Sequence, residues 1–267
     1  MAGSLVQQKF GAAAADYAAS TVHAKGESLA RLVALVAPQR HWRVLDVATG
    51  AGHTALALAP HVEQVVASDI TDEMLAEAGK LAAQRGLGNV ETAHAEAAGL
   101  PFPEESFDLV TCRLAAHHFP DPAGFVSESW RVLKPGGVFA LVDNISPDTD
   151  ILPGASREEA DRTAADYNAY EKLRDPSHGR CLSLVEWSAL LARAGFDDIR
   201  SEHMDQHIAF KPWIERMRCD AATVVRLDAM LAEPRLATFL RPRTTDDGLT
   251  FTLQEAIVVA KKPAGPR

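Results

Sequence analysis

Residues 43–55, RVLDVATGAGHTA, constrain the fold of this chain more than any other stretch. An apolar run (Val44, Leu45, Val47) broken by one carboxylate, Asp46, passes into five small residues, Ala48 to Gly52, and then into an alanine-rich helical start. That succession is a strand, a tight loop and a helix. Glycine at 50 and 52 lets the backbone take dihedrals closed to other residues and lets a ligand approach the main chain without meeting a Cβ. The expected guest is a nucleotide.

Gly50-x-Gly52-x-x-Ala55 also satisfies the dinucleotide fingerprint, with Asp69 at the distance of the ribose-binding acid. Asp46 separates the two readings. A carboxylate facing a pyrophosphate from the mouth of the site repels it by about 4 kcal/mol per charge pair at about 4 Å in an effective dielectric of about 20. A sulfonium that also carries an ammonium gains from the same carboxylate, so the pattern favours S-adenosylmethionine over NAD.

Strand and helix then alternate. Gln64 to Ile70 reads as a second strand closing on Asp69, with Thr71 placed to cap the helix that carries Met74 on its apolar face. Val90 to Ala95 reads as a third strand closing on Glu96. The fourth, Phe107 to Leu114, is apolar enough to be covered on both faces and runs out into Arg113 and the pair His117, His118. A helix from Pro122 to Leu133 leads through the turn Lys134-Pro-Gly-Gly137 into Val138 to Asn144, which carries Asp143. Such alternation predicts a doubly wound parallel sheet with its crevice at the carboxyl ends of the strands, bringing Asp46, Asp69, Glu96, Arg113 and Asp143 to one rim.

The ordered segments VLDVATGAG (44–52), SDIT (68–71), AEAAGLPFPEESFDLVTCRLAAHHFPDP (95–122) and RVLKPGGVFALVD (131–143) resemble the class I S-adenosylmethionine-dependent methyltransferases. The resemblance covers roughly residues 10 to 145 and is nearest the small-molecule branch that includes the ubiquinone/menaquinone C-methyltransferases. It implies an α/β fold with a seven-stranded, mostly parallel Rossmann-like sheet, Ile199 to Phe210 giving the sixth strand and Phe251 to Lys261 an antiparallel seventh. It also implies S-adenosylmethionine as cofactor and S-adenosylhomocysteine as product. By resemblance Asp46, Gly50 and Gly52 hold the methionine part, Asp69 the ribose hydroxyls, Ile70 and Ala97 flank adenine, and Glu96 reads its amine. Met74 and Arg113 complete the cofactor set. Ala48 stands where the family more often has glycine, and Glu96 where it more often has aspartate.

Around this core the sequence predicts a single domain: an N-terminal helical flap (1–40), a cofactor-binding core (41–144), an inserted helical cover (145–183) and the C-terminal part of the sheet (184–262). In the flap, Tyr17 and His23 lie between two helical stretches, either as surface and packing residues or as part of a cover over the nucleoside. The insert carries Tyr167 and Tyr170, and then Arg174 and His178. With Asn144 these are the candidate acceptor-facing residues. The tyrosines read equally well as a second cover or as packing.

Methyl transfer is a direct displacement at carbon, so orientation and exclusion of water matter most. If the acceptor must lose a proton, His117, His118, Asp143 and His178 are candidate bases, each with an ordinary packing role as its alternative. His203 and His207 alternate on one strand without a nearby third ligand, so no metal is expected.

A formal charge of −9 without a basic block argues against nucleic acid as partner. The three cysteines show no CxxC spacing, which fits a reducing compartment. No apolar run is long enough to cross a bilayer. The chain therefore reads as a cytoplasmic monomer or homodimer acting on a small-molecule methyl acceptor. The rival readings are an NAD(P)-linked dehydrogenase and a non-catalytic nucleoside-binding regulator.

Overall fold

The computed structural model describes residues 4–19 and 26–265. The chain divides into two compact units. The first takes the chain up to Asp143, Ser188–Glu202 and the residues from Ile257 onward; the second takes Asn144–Trp187 and His203–Ala256. The inserted segment is thus joined by some fifty residues from much later in the chain, an association that composition along the sequence does not mark.

The first unit opens with helices α1 (Leu5–Ala19) and α2 (Glu27–Val36). Leu29, Leu32 and Val36 form the buried stripe of α2, which ends at Ala37 before Pro38. Strand β1 (Arg43–Val47) follows, then the small-residue loop and helix α3 (His53–Leu58). Strand β2 (Gln64–Asp69) leads to helix α4 (Asp72–Gln84), whose buried face is Met74, Leu75, Ala78 and Ala82. Strands β3 (Val90–His94) and β4 (Phe107–Arg113) come next. Helix α5 (Pro122–Val132) starts with proline in its first turn and with Asp121 accepting the Gly124 N–H at 2.8 Å. Strand β5 spans Leu133–Asn144. The expected turn at 134–137 lies inside it: Phe107 pairs with Leu133 and Leu109 with Val138, so four residues of β5 stand opposite one of β4 as a bulge.

The sheet order is β3-β2-β1-β4-β5-β8-β6, with the pairs from β3 through β5 parallel. Chain order reverses between β1 and β4, and the crevice of an open α/β sheet lies outside the carboxyl ends of its strands at that point. Strands β6 (Asp197–Ala209) and β8 (Gly248–Lys261) each run from one unit into the other. Gly136 N–H bonds Lys262 O at one end of β5 and Ile145 N–H bonds Gln254 O at the other, so β8 runs antiparallel to β5, as expected. A short strand absent from the sequence reading, β7 (Arg243–Thr245), pairs antiparallel with β8 as an eighth member.

The second unit holds α6 (Arg157–Arg174), most of its remaining helices being α8 (Phe210–Arg216), α9 (Ala221–Leu231) and α10 (Pro234–Leu240); α7 (Leu184–Ala194) begins in it. Ser156 and Glu159 form a capping box at the start of α6. The core of this unit joins six aromatic side chains, Tyr167, Tyr170, Phe210, Trp213, Phe239 and Phe251, to the leucines of α9 and α10.

Candidate functional site

The loop after β1 turns through three left-handed residues, Ala48 (φ 52°), Gly50 (φ 55°) and Gly52 (φ 86°). Its two glycines serve different neighbours. A Cβ on Gly50 would meet nothing within 4 Å, whereas one on Gly52 would sit 2.9 Å from the Ala78 Cβ on α4. Gly52 is therefore a packing glycine that lets α4 approach, not a ligand-facing one.

Beneath the loop lies Asp46, 1 % exposed. Its Oδ1 accepts from Thr111 Oγ1 at 2.7 Å, and its Oδ2 from Thr49 Oγ1 at 2.5 Å and from the Ala55 N–H at 3.2 Å. Burial pushes its carboxyl up to about 6, against the opposing pull of these bonds and of the Arg113 charge. The expectation that Asp46 faces a ligand from the mouth is corrected: it clamps β1, the loop and β4 together from below.

Asp69 takes the cavity-facing position instead. Its Oδ2 accepts the Gly50 N–H at 2.9 Å and its Oδ1 the Thr71 N–H at 2.9 Å. Burial raises its pKa, while these bonds and the Thr71 hydroxyl lower it. Thr71 makes no side-chain cap on α4, because its hydroxyl serves the carboxylate.

A cavity of about 420 Å³ opens over this loop, within the range of small-ligand pockets. Among the predicted residues, its wall holds Ala48, Gly50, Asp69, Ile70, Met74, Glu96, Ala97, Arg113 and His118. The described wall has three carboxylates, Asp69, Glu96 and Asp121, against one guanidinium, Arg113. Of the five charged residues expected on one rim, Asp69, Glu96 and Arg113 line the cavity, while Asp46 and Asp143 lie outside its lining.

Asp143 is 2 % exposed. Its Oδ2 accepts the His117 N–H at 2.8 Å and its Oδ1 lies 2.6 Å from His117 Nδ1, pinning the short turn after β4. The His117 ring lies 4.2 Å from that of His118, which turns to the cavity and meets Phe10 edge-on at 5.0 Å. Of the candidate bases in this unit, His118 is the one on the wall.

The acceptor-facing candidates of the insert belong to the second unit. Tyr167 and Tyr170 are fully buried, Tyr167 edge-on to Phe239 and Tyr170 stacked on Trp213 at 5.1 Å. Arg174 lies over the Trp213 ring at 4.4 Å and donates to the Trp213 carbonyl. His178 Nε2 is 2.9 Å from Asn168 Oδ1. Tyr167 and Tyr170 take the packing alternative, inside the core of the second unit, and Arg174 lies against that core; Asn144, at the end of β5, is half-buried. The side chain of Tyr17, and His23 altogether, lie outside the described residues.

Helix α1 contributes what sequence reasoning missed. Ser4, Val6 and Phe10 line the cavity, and Gln7 Nε2 donates to the Ile70 carbonyl at 2.8 Å. Leu114 and Phe119, after β4, also line the cavity and were not singled out, and Leu114 is left-handed (φ 54°).

A family model described as "Methyltransferase domain" matches residues 45–141. The chain is 39% identical over 202 residues to the uncharacterized methyltransferase YcgJ of Bacillus subtilis, covering 75% of each protein. The crystal structure of YcgJ superposes with a TM-score of 0.80 at 32% identity, over 89% of this chain and 99% of that one. A putative methyltransferase of Bacillus halodurans gives 0.78 at 36%, over 89% and 100%. A demethylmenaquinone methyltransferase of Deinococcus radiodurans is 39% identical over 118 residues, 43% of this chain and 48% of that protein.

Proposed function

Because the chain belongs to the methyltransferase family, as a class I S-adenosylmethionine-dependent member of the small-molecule branch, we propose that it methylates a small organic acceptor at the cavity over the β1 loop. The comparisons lend no support to a dehydrogenase or to a non-catalytic binder. The observation that carries the placement is Asp69. Its carboxylate is fixed by the Gly50 and Thr71 N–H groups at the carboxyl end of β2 and lines the cavity.

Asp69 accepts hydrogen bonds from the ribose hydroxyls, Ile70 and Ala97 flank the adenine, and Glu96 accepts from its amine. The carboxylates of the wall favour a cationic nucleoside over a diphosphate. When bound, S-adenosylmethionine supplies an electrophilic methyl group on a positive sulfur, and S-adenosylhomocysteine is left. Phe10, Leu114 and Phe119 exclude water from the reacting atoms and hold the acceptor in line. His118 takes a proton where the acceptor must lose one. The pair His117 and Asp143 positions the His118 turn and does not contact the acceptor. The protein works in the cytoplasm, as a monomer or homodimer and without metal; among the described residues no helix is long and apolar enough to cross a membrane.

The test is transfer of a labelled methyl group from S-adenosylmethionine to a panel of phenols, quinols, thiols and amines. Label on one of these classes, lost in Asp69→Ala, is the expected result. Binding of S-adenosylhomocysteine with no transfer to any class would sink the catalytic reading, and absence of binding would sink the site.

A further inference from the structure

The wall of the cavity over the β1 loop is polarised along the sheet. In the order β3-β2-β1-β4, Glu96 follows β3, Asp69 ends β2, the left-handed loop follows β1 and Arg113 ends β4, and each of these lines the cavity. The third carboxylate, Asp121, flanks the segment after β3: a Cβ built on Gly124 would lie 2.9 Å from Asp121 Cγ and 3.0 Å from Ala98 Cβ. Three strand spacings separate β3 from β4, roughly 14 Å at about 4.8 Å each. Negative charge therefore collects over β2 and β3. The one guanidinium of the described lining stands at the far end of the row, on the strand that pairs with β1.

The ligand read into this cavity has two ends of matching kind. Asp69 and Glu96 are acceptors, and suit the hydroxyls and the amine of a nucleoside. The amino-acid tail carries one ammonium and one carboxylate, and that carboxylate is the ligand's only anion at neutral pH. Arg113 is the one fixed cation of the described lining, and a guanidinium presents paired N–H donors that match the two oxygens of a carboxylate. Other candidates for the tail are occupied, because Asp46 is sealed beneath the loop and Gly52 serves the approach of Ala78. Charge summed over the described lining, three carboxylates against one guanidinium, acts the other way. It favours a ligand that has lost its carboxylate and is left with net positive charge. The two effects oppose each other, so selection for the tail depends on where Arg113 stands and not on total charge.

We propose that Arg113 sets cofactor specificity by pairing its guanidinium with the α-carboxylate of the amino-acid tail, a role that rests on reading the cavity as the cofactor site. It selects S-adenosylmethionine and S-adenosylhomocysteine over the same nucleosides without that carboxylate.

The test is a calorimetric titration of the full chain with three ligands: S-adenosylhomocysteine, its decarboxylated counterpart, which keeps the sulfur and the ammonium, and 5′-methylthioadenosine, which lacks the amino-acid tail. The wild type should bind S-adenosylhomocysteine about tenfold or more tightly than the decarboxylated ligand, the worth of one charge-assisted pair. Arg113→Gln should bring these two affinities together, while 5′-methylthioadenosine binds variant and wild type alike. Arg113→Lys, which keeps the charge without the fork, should fall between. In the wild type the Arg113 guanidinium N–H resonances should shift with S-adenosylhomocysteine and not with the decarboxylated ligand, a readout that stands even if the variants unfold. Binding of S-adenosylhomocysteine without preference over the decarboxylated ligand, a folded Arg113→Gln that keeps the preference, or guanidinium resonances that respond alike to both would each overturn the proposal and leave the cofactor reading in place. Binding of none of the three would overturn the cofactor reading and the proposal together.

Discussion

Asp46 Oδ1 lies 2.7 Å from Thr111 Oγ1, a bond between adjacent strands that reaches across 65 positions of sequence and fastens the ligand loop to the sheet from below. The acid that looks most ligand-like in the sequence is therefore a structural clamp.

Asp46→Ala strands two threonine hydroxyls and the Ala55 N–H in a buried place, and should cost about 2–4 kcal/mol in urea unfolding. Asp46→Asn should cost less, because its carbonyl oxygen can serve Thr49 and Ala55 while its amide donates to Thr111. The folded-state pKa of about 6 lies above the ordinary value of 3.8, so the native state holds this proton more tightly than the unfolded chain. Between those values stability contributed by Asp46 falls as pH rises, by up to roughly 3 kcal/mol, and it levels off above about pH 6. The wild type should lose stability relative to Asp46→Asn across that window, read as the difference between their unfolding midpoints; a difference independent of pH would contradict the assignment.

Gly50→Ala and Gly52→Ala should separate sharply. The first pays about 1 kcal/mol for its positive φ, and its new methyl group lies in open space at the cavity, so stability changes little while S-adenosylhomocysteine binds more weakly. The second adds a clash with Ala78 to the same strain and should lose about 3 kcal/mol or more. Thermal unfolding and a ligand titration of both variants would show whether the two glycines trade places.

Ala48 holds a left-handed conformation that glycine adopts freely. Ala48→Gly should be neutral or more stable by up to about 1 kcal/mol, the relief of strain being offset by the looser unfolded chain. Ala48→Val, β-branched at the same φ, should be destabilised by about 2 kcal/mol or more. A stabilised valine variant would refute the strained reading of this loop.

His118→Ala should lower kcat by about 10²-fold for an acceptor that loses a proton, with the affinity for S-adenosylhomocysteine nearly unchanged. His117→Ala should act through His118, lowering kcat less. If His118→Ala leaves kcat intact, the proton leaves by another route.

The legible part of this molecule is the part carried by local pattern. The five parallel strands and the acids at their ends are visible because a buried parallel strand is a short apolar run and a ligand crevice collects polar residues at its carboxyl end. Sequence does not show which way a strand-end carboxylate turns, since that depends on donors as distant as Thr111 for Asp46. Nor does it show that Tyr167 and Tyr170 meet Trp213, Phe239 and Phe251, because the second unit is assembled from two stretches separated by Ser188–Glu202. Phe10 is invisible for the same reason: its partner, His118, lies in another element.

The most direct test of the account is a calorimetric titration of the wild type and Asp69→Asn with S-adenosylhomocysteine, with NADH as the comparison ligand. The account predicts one saturable site for S-adenosylhomocysteine, weakened about tenfold or more in Asp69→Asn, and no heat from NADH. Saturable NADH binding with none for S-adenosylhomocysteine, or an affinity indifferent to Asp69, would contradict it.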